Sequence, residues 1–312
     1  MDKKTRRAIL KVRVRVPATA ANLGAGFNCL GLALELYNTF EATECRAGIK
    51  IEITGKEKEA LPKDKTNLFL QAAERVFKKC AYAPKGLRVK INSCIPIARG
   101  LGSSASSIVA GAVAANELCK RKLSCDELMQ LCVELEGHAD NIVAAFLGGL
   151  TICGFKNRQL FYKKLFVRYG LRAIIAIPQE LTVKTKDAVE VLPKKVPFED
   201  AVFNISRVAF FVSGIMSDEL ELMGLGMEDR LHQPYRKALI PGLEDVFKAA
   251  KGAGAHGVAL SGAGPSVVAI TNRFPDPIGK AMKEAFAAKG IKAKIMILDA
   301  DNEGVKVKVK RA

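Results

Sequence analysis

The chain has no tryptophan, and aromatic residues make up only 6% of its 312 positions. A platform for stacking single-stranded bases wants aromatics interleaved with cationic side chains, and this chain is too poor in them. Its formal net charge of +17 is therefore read as mostly solvated surface, because lysine and arginine are spread along the whole sequence. A nucleic-acid partner is not expected. The three histidines (His138, His232 and His256) are too scattered to argue for a metal cluster. None of the eight cysteines forms a C-x-x-C pair and no zinc spacing occurs. Reduced, mostly buried thiols, packing as small hydrophobes, are expected. No window approaches eighteen consecutive apolar residues, so no membrane span is expected. The N-terminal "MDKKTRRAIL" is basic but carries no apolar leader core, and a cytoplasmic location is the expectation. Also missing is the G-x-x-x-x-G-K-[ST] phosphate loop. G-x-G-x-x-G does occur, at Gly252–Gly257, but after a helix and before a strand, the reverse of a dinucleotide-binding turn. It reads as the end of a helix, where glycine supplies the left-handed conformation.

What the chain does contain is clear periodicity. "ILKVRVRVPA" alternates Leu10, Val12, Val14 and Val16 with Lys11, Arg13 and Arg15, a half-buried strand with a basic outer face. Residues 48–55 and 86–93 repeat the pattern. Between them, "TNLFLQAAERVFKKC" has helical spacing with Thr66 as candidate N-cap. A helix from Ser124 and a strand, "GGLTICGF", follow. The second half reads as a buried strand (171–178), a helical middle, then helix, strand, strand, helix and strand, with an apparent hairpin. This order predicts an α+β fold of two domains. The boundary is placed in polar, basic "KNRQLFYKKLFVRYG", giving residues 1–162 and 163–312. The tail "GVKVKVKRA" is expected to be a basic edge strand.

Chemistry is suggested first by "PIARGLGSSAS", Pro96 to Ser106. Gly100 and Gly102 let backbone amides approach an anion. A helix beginning near Ser103 or Ser104 adds unpaired amides and the positive end of its dipole. Serine hydroxyls there can donate to phosphate or ligate Mg²⁺, which prefers oxygen. Read by spacing alone, the segment is equally a tight turn with a serine cap. "GHADN" sets His138, Asp140 and Asn141 between a helix and an apolar run, where buried polar groups need partners. Glu134 and Glu136 lie just upstream and are plausible carboxylate ligands. "LSGAGPS", from Leu260, is a second glycine-rich turn, suited to packing against another loop.

Together, "VPATAANLGAGFNCLGLAL" (Val16–Leu34), Pro96–Ser104 and "LSGAGPS" resemble, in order, the three signatures of the GHMP family of small-molecule kinases. The first and "GHADNIVAAFLGG" most resemble homoserine kinases. The resemblance implies a two-domain GHMP kinase fold, with an N-terminal mixed α/β domain and a C-terminal ferredoxin-like α+β domain. It also implies transfer of the γ-phosphoryl of ATP to the hydroxyl of L-homoserine, in threonine biosynthesis. Pro96, Ile97, Ala98, Arg99, Gly100, Leu101, Gly102, Ser103, Ser104, Ala105 and Ser106 would then wrap ATP, with Asn67 by the base. Ser104 would hold Mg²⁺ with Glu134 as first choice of carboxylate and Glu136 as second. Asp140 and Asn141 would be catalytic, lining the acceptor hydroxyl with Asn22 and His138. Thr185 and Arg236 would meet the substrate carboxylate. A homodimer is also what the family suggests. Two positions depart from homoserine kinases: Asn28 stands where an aspartate usually meets the substrate ammonium, and Val189 where an arginine is usual. At about 4 Å and an effective dielectric near 20, losing that carboxylate removes about 4 kcal/mol of gross attraction. A different small alcohol as acceptor therefore stays open.

Overall fold

The structure, a computed structural model, describes residues 10–311; the basic stretch before Leu10 lies outside the described residues. In β1 (Leu10–Ala21) the valines at 12, 14 and 16 are buried while Lys11 and Arg13 are exposed, as the alternation requires. It pairs antiparallel with β2 (Leu30–Glu44), with a register shift at Pro17/Ala18. Proline lacks a ladder donor and is tolerated at such a break. Next come β3 (Gly48–Gly55), α1 (Leu68–Lys79) and β4 (Gly86–Ser93). The N-cap of α1 is Asn67, whose Oδ1 accepts from the Phe69 amide at 3.0 Å. Thr66, expected in that role, instead donates from its amide and hydroxyl to Asp64, two residues earlier.

Helix α2 (Ser103–Leu118) is buried on nearly every side. Its small residues make that burial geometrically feasible: a methyl on Gly111 would sit 2.1 Å from the Phe69 carbonyl of α1. α3 (Cys125–Glu136) opens with a reciprocal Ser124–Glu127 capping box and stops at Gly137, φ +90°, the left-handed stop that glycine favours. α4 (Asp140–Leu147), β5 (Leu150–Lys156) and β6 (Gln159–Leu165) follow.

The second sheet begins with β7 (Arg172–Pro178), and then come α5 (Thr185–Glu190), α6 (Phe198–Ser217), α7 (Leu220–Leu225), α8 (Gln233–Arg236) and α9 (Leu243–Gly252). β8 (Gly257–Leu260), β9 (Val267–Thr271), α10 (Pro275–Ala287), β10 (Ala293–Asp299) and β11 (Lys306–Arg311) complete the chain. This sheet is antiparallel in the order β10-β7-β9-β8, with β8 and β9 as the expected hairpin. That order is the β-α-β-β-α-β ferredoxin-like arrangement.

The first sheet has seven strands: β11-β1-β2-β4-β3 in line, with β5 on β2 and β6 on β5. The expected boundary at 162/163 therefore falls inside β6, which pairs with β5 throughout. β11 returns from the far end of the chain to the edge beside β1, so the first sheet takes strands from both ends of the sequence. No helix among the described residues is long and apolar enough to cross a membrane.

Candidate active site

A cleft of about 500 Å³ opens where the Pro96–Ser104 loop, the Asn22–Asn28 turn, the α3–α4 junction, α5, α8 and the Gly262–Gly264 turn meet. The loop's shape is dictated by close approaches. Gly100 and Gly102 have φ of +70° and +69°. A methyl at 100 would fall 2.0 Å from the Ser261 carbonyl, and one at 102 would fall 1.9 Å from Thr19 Oγ1. Ser261 Oγ also donates to the Gly100 carbonyl at 2.6 Å, so the two glycine-rich turns are one unit. Gly102 is the N-cap of α2 and offers no side-chain acceptor. The first-turn amides and the dipole's positive end are thus left for an anion in the cleft.

Ser104 Oγ donates to Glu136 Oε2 at 2.7 Å. Of the two candidate glutamates, the one on the cleft is therefore Glu136. Glu134, placed first by sequence, is exposed, bonds Gln130 and lies outside the cleft lining. Burial pushes the Glu136 carboxyl upward, against the Ser104 bond and the nearby His138. Ala105 and Ser106 also leave the expected set: both are fully buried, and Ser106 bonds Asn38 and the Ser103 carbonyl. Ser107, one turn beyond Ser103, reaches the cleft instead. Asn67 lines the wall with its amide spent on the α1 cap and on the Pro62 carbonyl at 2.7 Å. Arg99 donates to the Pro178 and Gln179 carbonyls at 2.8 and 2.7 Å, clipping the loop to the end of β7.

At the α3–α4 junction Asp140 is 2% exposed. Its Oδ1 accepts from the Asn141 amide at 2.7 Å and from His138 Nδ1 at 2.8 Å. Asn141 Oδ1 accepts from Thr19 Oγ1 at 2.7 Å. Burial opposes charge on His138, but the bond to Asp140 and the charges of Asp140 and Glu136 outweigh it and raise its pKa.

Across the cleft, Asn22 is buried with both amide atoms occupied: Oδ1 accepts from the Asn28 amide and Nδ2 donates to the Gly262 carbonyl, each at 2.9 Å. It shapes the turn that leaves Asn28 exposed at φ +55°. Thr185 begins α5 on the cleft wall, with Val189 a turn later and 53% exposed. Arg236 is 2% exposed and has no carboxylate within 4 Å among the described residues. Its donors go to the Ala188 and Gly262 carbonyls at 3.1 Å and to His232 Nδ1 at 3.2 Å. Phe27, Lys184 and Ala263 also line the cleft; Phe27 and Ala263 fall within the first and third signature motifs, whereas Lys184 carries no sequence signal that would have selected it.

A loop of free helix-start amides, an oxygen-donor pair and a buried cation around one cleft suit a phosphotransferase acting on small molecules. Comparison with known proteins specifies the class further. Residues 67–149 match the GHMP kinases N terminal domain and residues 214–291 the GHMP kinases C terminal domain. The chain is 42% identical over 293 residues to homoserine kinase of Carboxydothermus hydrogenoformans, covering 94% of this chain and 95% of that one. It is 44% identical over 294 residues to homoserine kinase of Moorella thermoacetica, covering 94% and 99%. The crystal structure of homoserine kinase from Cytophaga hutchinsonii superposes with a TM-score of 0.87 at 32% identity, over 99% of this chain and 100% of that one. The chain belongs to the GHMP kinase family.

Proposed function

We propose that the chain transfers the γ-phosphoryl group of ATP to the hydroxyl of L-homoserine, yielding O-phospho-L-homoserine and ADP. The observation that carries this reading is the pairing, in one cleft, of the α2 phosphate loop with a buried, carboxylate-free Arg236. Burial disfavours the Arg236 cation, with Asp229 and Asp140 offsetting it from a distance, and a substrate carboxylate would supply the direct ion pair it lacks. The homoserine kinase names of relatives spanning nearly the whole chain support the same acceptor.

ATP phosphates would lie on the α2 amides. Ser104 and Glu136, two hard oxygen donors 2.7 Å apart at the loop's edge, suit Mg²⁺, which usually takes one or two carboxylates and completes its shell with phosphates and water. When bound, Mg²⁺ would neutralise charge on the transferring phosphoryl group. Asp140, fixed by Asn141 and His138, would hold the acceptor hydroxyl and accept its proton. Such chemistry depends on positioning and charge stabilisation and needs no covalent intermediate.

A second reading, another small alcohol as acceptor, rests on Asn28 and Val189, both on the cleft wall, where homoserine kinases usually carry charge. A coupled ADP-release assay with Mg-ATP and a panel of L-homoserine, L-threonine, L-serine, mevalonate and deaminated homoserine separates the two. Homoserine well ahead supports the first reading; a non-amino acid ahead replaces it with the second.

A further inference from the structure

The Arg236 guanidinium sits in a frame built around His232, a residue outside the cleft lining and fully buried. His232 Nε2 lies 2.8 Å from the Gly24 carbonyl, and Nδ1 lies 3.2 Å from Arg236 Nη1. A carbonyl can only accept and a guanidinium can only donate. The partners therefore set the tautomer: Nε2 carries the proton and Nδ1 is bare. The Phe27 ring stacks on the imidazole at 5.1 Å, and the Arg236 guanidinium lies 5.2 Å from the same ring. Asp229 holds the start of α8 by accepting the His232 and Gln233 amides at 2.9 and 2.7 Å. The imidazole thus joins the Asn22–Asn28 turn to the cation across the cleft.

We propose that His232 is a positioning residue for the acceptor's carboxylate: as a neutral hydrogen-bond acceptor it aims Arg236 without itself forming an ion pair with the guanidinium, and it stands between Arg236 and the buried Asp229, whose Oδ2 is 3.5 Å from Nε2. This rests on the reading of Arg236 given above. A carboxylate in the same place would orient the arginine equally well but would form an ion pair with it and compete with the substrate. Imidazole gives direction without that competition. Burial holds His232 in its neutral form, pushing its pKa below the ordinary histidine value, and the adjacent Arg236 cation acts in the same direction, against Asp229 and the Gly24 bond. Loss of the acceptor at Nδ1 would let the guanidinium rotate toward its remaining carbonyl partners, and small misplacements of a binding group are expensive in a preorganised site.

Three variants of the full chain test this. Asparagine presents an oxygen close to the Nδ1 position and glutamine a donor close to Nε2. His232→Gln is expected to raise KM for homoserine by about tenfold or more, with kcat and the KM for Mg-ATP within about threefold of the parent. His232→Asn, which keeps the acceptor, is expected to recover most of that loss. His232→Glu is expected to raise KM at least as far as His232→Gln, because it pairs with Arg236. With the amino alcohol that lacks only the carboxylate, the three variants should be indistinguishable from the parent. Equal KM effects for the Gln and Asn variants, or the same effect on the carboxylate-free alcohol, would overturn the role. A parent chain that does not turn over homoserine would instead overturn the proposed function. Nitrogen NMR of the ligand-free protein then decides the positioning role without turnover: a protonated Nε2 and bare Nδ1 on His232 support it, and a protonated Nδ1 refutes it.

Discussion

Gly102→Ala is the change that most directly tests how the phosphate loop is coupled to the acceptor side of the cleft. The glycine adopts φ +69°, and its added methyl would lie 1.9 Å from Thr19 Oγ1, 3.2 Å from Thr19 Cβ and 3.3 Å from Asn141 Oδ1. Thr19 is fully buried in β1 and donates to Asn141 Oδ1 at 2.7 Å. To make room its hydroxyl must leave that bond, which costs about 1 kcal/mol. Left-handed backbone strain in alanine adds about 1 kcal/mol, and displacing a packed side chain about 1 more. Gly102→Ala should therefore destabilise the chain by about 3 kcal/mol, read by urea unfolding. Thr19→Ala alone should cost about 1 kcal/mol through the lost hydrogen bond. In the double variant the offending oxygen is gone, leaving the strain and the one lost bond, about 2 kcal/mol in all. The sum of the single effects exceeds the double by about 2 kcal/mol, well beyond the scatter of independent sites. Turnover should follow, with Gly102→Ala lowering kcat because Asn141 loses its orienting donor. Additive stability effects would refute the coupling, whatever the activity.

Two further substitutions discriminate within the polar cluster. Glu136→Gln should raise the Mg²⁺ concentration needed for half-maximal activity by about ten- to hundredfold, whereas Glu134→Gln should leave it unchanged; the reverse pattern in a Mg²⁺ titration would restore the sequence-based choice. In Asp140→Asn the histidine loses the hydrogen bond and charge that do most to raise it, so the His138 pKa, raised in the parent, should fall toward the ordinary value near 6.5, with burial lowering it and the remaining Glu136 carboxylate opposing burial. In the parent, the associated stability is complete below the unfolded pKa and is lost as pH rises through the higher folded one. Ring-proton titration by NMR, with unfolding at pH values on either side, checks both the shift and its sign.

Much of this site follows from local rules, and its errors have local causes too. Glycine spacing located the loop and the turn packed on it, because both need left-handed or close-approaching backbone whatever their distance in sequence. Glu134 and Glu136 have the same chemistry and neighbourhood, so motif position could not separate them. Helical period could: Met129, Cys132 and Val133 are buried on α3, and Glu136 continues that i, i+3, i+4, i+7 stripe, whereas Glu134 points away from it. On α2 the same spacing puts both Ser106 and Ser107 beside Ser103, and it takes the packing of the finished fold to leave Ser107 on the cleft while Ala105 and Ser106 are fully buried. Thr66 lost the N-cap of α1 to Asn67 because Asp64 offered its amide and hydroxyl a nearer acceptor. The pairing of β11 with β1 and the clip from Arg99 to β7 have no local signature, since each depends on which distant segments the finished fold brings together.

The hydrogen bonds explain why so few cleft residues remain available for ligands. Asn22 and Asn67 both look like binding groups in sequence, yet each spends both ends of its amide on backbone that shapes the cleft. Arg99 spends its donors in the same way. Their contribution is to preorganise the site, fixing loop geometry before a ligand arrives so that little ordering cost is left to binding. Charge is distributed differently. Glu136 and Asp140 gather with His138 beside the phosphate loop, while Arg236 lies buried on α8 with no carboxylate within 4 Å among the described residues, reached only at longer range by the charges of Asp229 and Asp140. A ligand that presents a metal-bound polyphosphate to the first group and a single carboxylate to the second completes both halves at once. Under the proposed function, an acceptor without that carboxylate would leave the buried guanidinium with only the more distant charges of Asp229 and Asp140, so Arg236 would select against it whatever Asn28 and Val189 contribute.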